Sequence, residues 1–129
     1  PKWKHIGEKS KWQYPAHLNG HIIEEKSCAI IVESIGDMLA LWDAGIKNVI
    51  VNFGLNVSFA IINTLIKHDV EKIVLALNND ENLAGNQATQ KAHKKLFFDR
   101  DQIQICFPTK NDFGEMQKEE IQGWKKTIK

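Results

Sequence analysis

The sequence has little cysteine and no long apolar run, and each absence excludes a class of protein. Its two cysteines, Cys28 and Cys106, stand far apart and form no CxxC pair. They therefore indicate buried, reduced thiols rather than a zinc site or a disulfide framework. No apolar stretch approaches the length of a membrane span or a signal peptide. Because the chain begins with Pro1 rather than methionine, we interpret it as a piece of a longer, cytoplasmic protein.

The chain also lacks a strong overall charge, since its net charge is only +1 over 129 residues. The charges are unevenly distributed along it. Residues 1–27 hold five Lys against three Glu, residues 28–116 hold eight basic against eleven acidic side chains, and residues 117–129 hold four Lys against two Glu. An acidic middle with basic flanks suits a metal site beside surfaces for a polyanion, and it equally suits ordinary solvated surfaces.

Strand-like and helix-like segments alternate through the middle of the sequence. Three unbroken apolar runs are typical of buried strands, and a fourth segment alternates polar with apolar residues, as a half-exposed edge strand does. These four segments are residues 28–32, 48–53, 72–77 and 102–106. Strands that alternate with helices predict a parallel α/β sheet.

Helical spacing of apolar residues predicts three helices between these strands. The first carries Asp37 in its opening turn and ends at Gly45, and the third runs from Ala84 to Leu96 along a face of small residues. The second covers residues 57–68. In that helix we expect four side chains to face inward: Ile61, Ile62, Leu65 and Ile66.

Ligands of a parallel α/β sheet bind beyond the carboxyl ends of its strands. Polar groups follow every predicted strand: Glu33 and Asp37, then Gly54, then Asn78 and Asp80, then Lys110 and Asp112. Carboxylates gathered there repel one another unless a cation neutralises them. Oxygen ligands without His or Cys favour Mg²⁺ or Mn²⁺ over zinc. Helix caps and loop ends explain any single residue of this set, but they explain the convergence less well.

The first fifteen residues interleave lysines with aromatic rings and show no sustained periodicity, which predicts an extended arm. Lysines neutralise phosphates and aromatic rings stack on bases, as in a nucleic-acid contact. Alternatively, the rings fix the arm to the core while the lysines stay solvated. The residues concerned are Lys2, Lys4, Lys9 and Lys11 with Trp3, Trp12 and Tyr14.

Several of these motifs, in this order and spacing, resemble the Toprim domain of DnaG-type DNA primases, including phage primase-helicases. The motifs are VESIGD at residues 32–37, AGIKNV at 44–49, Gly54, LNND at 77–80 and AG at 84–85. The resemblance extends from about residue 28 to 116. KNDFGEM at 110–116 resembles the acidic stretch after the last strand of these primases, and PKW at 1–3 resembles the Pro-Lys-Tyr of their upstream basic segment.

The resemblance implies a Toprim-like Rossmannoid α/β fold with about four mainly parallel strands flanked by helices. Residues 1–27 would form a basic aromatic arm, residues 28–116 the catalytic core, and residues 117–129 a basic helical tail. Glu33 would be the acid/base residue or a carboxylate facing the metal. The metal ligands would be Asp37, Asp80, Asp112 and the neutral Asn78, and the nucleotide- and DNA-binding residues Lys2, Lys4, Lys9, Lys11, Gly54 and Lys110.

The implied function is metal-dependent synthesis of RNA primers on a single-stranded DNA template from nucleoside triphosphates, with Mg²⁺ or Mn²⁺ and a replicative helicase as partner. No GxxxxGK sequence is present, so a helicase motor would lie outside this chain. The location would be the cytoplasm, or the host cytoplasm for a viral parent, and no membrane is involved.

Two other classes remain open. A Toprim nuclease or topoisomerase would use a similar acidic site to cut DNA, although the single tyrosine, Tyr14, lies in the arm. The second class is a non-catalytic Toprim module, which is suggested because Asn78 replaces a charged ligand. A phosphorelay receiver is disfavoured, because Asn78 occupies the position of its acceptor aspartate.

Overall fold

The computed structural model describes residues 14–52, 59–77 and 102–128. These ranges contain four strands, four α-helices and a short 3₁₀ helix. In chain order they are α1 (Ala16–Lys26), β1 (Cys28–Val32), α2 (Ile35–Asp43), β2 (Val49–Val51), α3 (Phe59–Lys67), β3 (Lys72–Leu75), β4 (Ile103–Ile105), the 3₁₀ helix (Phe113–Glu115) and α4 (Lys118–Lys125).

The four strands form one parallel sheet in the order β2-β1-β3-β4. This confirms the predicted parallel α/β sheet and the edge position of the fourth strand. The register aligns Val32 of β1 with Val51 of β2, and Ile31 of β1 with Leu75 of β3. The carboxyl ends of these three strands therefore lie side by side. Whatever follows each strand emerges at the same edge of the sheet.

Side chains alternate between the two faces of the sheet, and each face buries its own apolar cluster. On one face, Ile23 of α1 and Leu65 of α3 pack with Ile31 of β1. On the other face, Leu41 of α2 and Trp124 of α4 pack with the neighbouring strand residues. The helices thus cover both faces, which explains why the strand sequences are almost continuously apolar.

Helix α1 lies within the segment that the sequence suggested as an arm, and no helix was predicted there. It has no continuous apolar stripe, and two of its buried residues are Asn19 and Gly20. The amide of Asn19 donates to the carbonyl oxygens of Lys47 and Val49, at 2.7 and 2.8 Å. These bonds attach α1 to the start of β2. Part of the packing of α1 therefore depends on a polar side chain, which an apolar periodicity cannot reveal.

The inward face of α3 differs from the prediction at one residue. Ile61, Ile62 and Leu65 are buried as expected, but Ile66 is 63% exposed. Thr64 is buried instead, and its hydroxyl donates to the carbonyl oxygen of Ala60 at 2.9 Å. The expectation for Ile66 was wrong because Ile66 lies at the margin of the apolar face of α3, on the same exposed side as Asn63 and Lys67.

Cys28 and Cys106 are both free thiols, as predicted. Each is half-buried, whereas the prediction was that both would be buried. Burial raises the pKa of the Cys28 thiol, so it stays protonated at neutral pH. The predicted third helix, Gly54 and the arm before Tyr14 lie outside the described residues. None of the helices in the described ranges is long and apolar enough to cross a membrane.

Two helical glycines offer a matched pair of stability predictions. A Cβ added at Gly123 of α4 would have no heavy atom within 4 Å, so Gly123→Ala should stabilise the protein by about 0.5–1 kcal/mol through helix propensity. A Cβ at Gly20 would come within 2.8 Å of His68 Cε1, on a ring that bonds Glu24. Gly20→Ala should therefore give no such gain. The free energy of unfolding in urea tests both, and equal gains would contradict the packing argument.

Candidate metal and active site

The first carboxylates of the predicted site stand where β1 turns into α2. Glu33 follows the last residue of β1 directly and is half-buried. Ser34 is the N-cap of α2, and its hydroxyl oxygen accepts the backbone N–H of Asp37 at 3.2 Å. A serine N-cap satisfies a helical N–H that would otherwise lack a partner. Asp37 thus occupies the first turn of α2, as predicted, where the helix dipole favours negative charge.

The carboxylate of Asp37 is almost completely buried and is held at both oxygens. The residue is 2% exposed. The Ser34 hydroxyl donates to Oδ2 at 3.0 Å, and the backbone N–H of Phe113 donates to Oδ1 at 2.9 Å. Phe113 lies 76 residues further along the chain. Asp37 therefore ties the turn after β1 to the segment that follows β4.

The electrostatics of Asp37 show that several negative charges meet here. Burial raises the pKa of the Asp37 carboxyl from 3.8 to about 6, while the hydrogen bonds from Ser34 and Phe113 lower it. The negative charges of Asp112 and Glu33 raise it further. Asp112 and Glu33 are therefore close enough to repel Asp37, although they are far apart in the sequence.

Asp112 is the N-cap of the 3₁₀ helix, and its Oδ1 accepts the backbone N–H of Glu115 at 3.0 Å. This bond fixes the Asp112 side chain directly before Phe113, the residue that binds Asp37. At the carboxyl end of β2, Asn52 is 1% exposed and its backbone N–H donates to the carbonyl oxygen of Val32, the residue before Glu33. Polar residues from three segments thus stand at this edge of the sheet.

Lys110 is directed toward α4. Its ammonium lies 3.1 Å from Oε1 of Glu120 and donates to the carbonyl oxygen of Glu115 at 3.3 Å. The backbone N–H of Gln117, together with Lys110, holds the pKa of Glu120 below its ordinary value. A role for Lys110 in phosphate binding would require this exposed ion pair to open, at small energetic cost.

The remaining predicted site residues lie outside the described ranges. They are Asn78, Asp80, Gly54, Lys2, Lys4, Lys9 and Lys11. Leu77, the last described residue before Asn78, is fully buried and follows β3, the neighbour of β1 in the sheet. Leu77 therefore lies just beyond the end of the strand next to the one that Glu33 follows.

The described carboxylates fit a hard divalent cation in chemistry but do not complete a site. They are oxygen donors only, and although burial is the main cause of the raised pKa of Asp37, the charges of Asp112 and Glu33 add a smaller repulsion that a cation would relieve. Yet no three His, Cys, Asp or Glu side chains in the described part of the chain lie close enough together to hold a metal. The described carboxylates by themselves therefore do not form a complete ligand set.

Sequence reasoning missed the two groups that hold Asp37. Ser34 was visible as a polar residue before a helix, which is a signal for an N-cap but not for a bond to a carboxylate. The Phe113 N–H could not be found from sequence, because it acts through the backbone across 76 residues. Asn52 carried a detectable signal, since it ends an apolar run at the ligand-binding edge.

Comparison with known proteins assigns the chain to a family. A sequence model of the Toprim-like family matches residues 30–117, which is more than half of the chain. The chain therefore belongs to the Toprim-like family. Among curated proteins, no match to this sequence is found.

Within that family, the fold is that of the Toprim region of DnaG-type primases. The primase of Aquifex aeolicus, solved with its zinc-binding and RNA polymerase domains, aligns with a TM-score of 0.76 and 22% identity over 97% of this chain. The RNA polymerase domain of Mycobacterium tuberculosis DnaG gives 0.74 and 18% over 95%. A DnaG catalytic domain bound to single-stranded DNA gives 0.73 and 18% over 96%.

The alignments cover 32%, 42% and 41% of those three chains. This chain thus spans about a third to two fifths of the length of the primases that it matches.

Proposed function

We propose that this chain is the catalytic Toprim domain of a DNA primase, which makes RNA primers on single-stranded DNA from nucleoside triphosphates. The observation that carries the proposal is the convergence of Glu33, Asp37 and Asp112 at one edge of the sheet. The negative charges of Asp112 and Glu33 both act on Asp37, and with further ligands from the segment after Leu77 these oxygen donors would suit a divalent cation. The primase-like fold supports it, and one DnaG catalytic domain of that fold is bound to single-stranded DNA.

In this proposal Asp37, Asp112, Asp80 and the carbonyl oxygen of Asn78 hold Mg²⁺ or Mn²⁺. The cation would neutralise charge on the transferring and leaving phosphate oxygens. Glu33 would take the proton from the attacking 3′-hydroxyl as its oxygen bonds to the α-phosphorus and pyrophosphate leaves. The half-buried position of Glu33, directly after β1, suits a base that must be both fixed and accessible.

The amino-terminal arm would carry the template. The carbonyl oxygen of Tyr14 accepts the backbone N–H of Val51 at 2.8 Å, at the carboxyl end of β2. Tyr14, the first described residue, therefore lies beside the carboxyl end of β2. Lysines for phosphates and tryptophans for base stacking are the composition that binding of single-stranded DNA requires. A helicase partner is part of the same proposal.

Glu33→Ala and Asp80→Ala should each abolish primer synthesis while leaving the fold intact, because one removes the base and the other a charged metal ligand. Asn78→Asp should tighten Mg²⁺ binding by adding a charge to the ligand set. The measurement is incorporation of labelled ribonucleotides on single-stranded DNA by the parent protein, with circular dichroism as the check on folding. A wild-type rate in Asp80→Ala would remove that residue from the mechanism.

The same preparations separate the other two classes. Nicking of DNA under the same metal ions, without primer synthesis, would identify a nuclease. Neither activity, together with no thermal shift on addition of Mn²⁺, would identify a non-catalytic Toprim module.

A further inference from the structure

The carboxylate of Asp37 is oriented by two donors on different elements, one at each oxygen. Ser34 reaches it from the turn before α2, and the Phe113 N–H from the 3₁₀ helix after β4. Rotation about the Cβ–Cγ bond moves both oxygens together, so two hydrogen bonds, one at each oxygen, restrict the carboxylate more strongly than one bond does. Since the site is buried, water cannot replace a lost donor easily.

We propose that Ser34 is a positioning residue, whose hydroxyl fixes the Asp37 carboxylate in the orientation required for binding a divalent cation. The inference rests on the proposed function, because it takes Asp37 to be a metal ligand. Groups that hydrogen-bond a ligating carboxylate fix its direction, and their loss weakens metal binding. Ser34 is suited to this role because one hydroxyl group serves both Asp37 and the helix that carries it.

The hydroxyl of Ser34 accepts from the Asp37 N–H at 3.2 Å and donates to the Asp37 Oδ2 at 3.0 Å. The first bond is an ordinary N-cap and acts on the stability of α2. The second acts on the ligand itself. Any test must therefore separate loss of the cap from loss of the orienting bond.

Three substitutions achieve this separation. Ser34→Gly removes the hydroxyl, and glycine is itself an acceptable N-cap, so the helix loses little. Ser34→Thr keeps a hydroxyl at the same position and should preserve both the orientation of Asp37 and the binding of Mn²⁺. Thr64→Ala is the stability control, because it removes a buried hydroxyl from α3 on the opposite face of the sheet.

The first measurement is the affinity of the 129-residue chain for Mn²⁺. Binding is monitored by the loss of the electron paramagnetic resonance signal of free Mn²⁺. Ser34→Gly should bind roughly 10- to 100-fold more weakly than wild type. Ser34→Thr and Thr64→Ala should bind as wild type does. If Asp37→Asn abolishes binding while Ser34→Gly leaves it unchanged, the positioning role is overturned and the proposed metal site stands.

The second measurement needs no metal. Hydrogen exchange of the Phe113 amide reports whether Asp37 Oδ1 stays in place, so Ser34→Gly should accelerate it selectively, and Thr64→Ala should not. Unchanged exchange in Ser34→Gly would overturn the inference whatever the metal data show. Faster exchange in a chain that binds no Mn²⁺ would support the orienting contact and count against the proposed metal site alone.

Discussion

Asp37→Asn is expected to stabilise the protein by about 3 kcal/mol at neutral pH, although it removes a charged ligand from the candidate site. The pKa of Asp37 is about 6 in the folded state, against 3.8 for the free side chain. Each unit of difference corresponds to about 1.4 kcal/mol, so holding this carboxylate ionised and buried destabilises the fold. Asparagine has nearly the same shape, can accept the Phe113 N–H, and carries no charge.

The gain should depend on pH in a defined direction. Because the folded state binds the Asp37 proton more tightly than the unfolded state, stability falls as pH rises from about 4 to about 6. Below that window the protonated Asp37 resembles asparagine and the gain should disappear. Above it the gain should be complete. Urea denaturation at pH 4 and pH 7.5 tests this, and equal gains at both values would contradict the electrostatic explanation.

Asp43→Asn is the matched control for this experiment. Asp43 is the last residue of the same helix, its side chain is 78% exposed, and it lies 3.8 Å from Lys118. Exposed ion pairs contribute little, so its substitution should change stability by less than about 1 kcal/mol. If the proposed metal site is correct, Mn²⁺ should stabilise the wild-type chain and should not stabilise Asp37→Asn. Higher stability with lost metal binding is the pattern expected of a functional carboxylate.

Phe113→Ala is expected to destabilise the protein by about 3–5 kcal/mol, the range for a large aromatic side chain removed from a core. Phe113 is fully buried, and its ring meets that of Trp124 edge-on at a centroid distance of 4.7 Å. The loss would also release the 3₁₀ helix, and with it the N–H that binds Asp37. The free energy of unfolding in urea is the measurement.

Phe59→Ala provides the comparison, since Phe59 is the first residue of α3 and is 66% exposed. The same chemical change there should cost less than about 1 kcal/mol. Similar losses at both positions would mean that Phe113 does not anchor the segment after β4.

The sequence was most informative where one physical effect dominates. Buried parallel strands need apolar residues on both faces, so β1 and β3 could be located, and the turn at Glu33 with them. The position of Asp37 in the first turn of α2 followed from the same run and from Gly45, whose φ of +85° ends the helix.

The sequence was least informative where tertiary contacts determine the position or orientation of an element. Helix α1 is held by the Asn19 amide and by the close approach of Gly20 to His68, and neither leaves an apolar pattern. The orientation of α3 depends on packing, so Ile66 was misassigned. In the candidate site, the residue types and the edge of the sheet could be predicted. The bond from Phe113 to Asp37 could not, because it depends on tertiary structure alone.

The hydrogen bond between Tyr14 and Val51 has a consequence for solubility. Strand β2 is an outer strand of the sheet, and an outer strand with unpaired backbone groups invites pairing with another molecule. Tyr14 satisfies the Val51 N–H, and Asn19 satisfies the Val49 carbonyl oxygen. A chain shortened to begin at Cys28 would present these groups bare, together with the apolar surface that Ile23 covers, and would tend to aggregate.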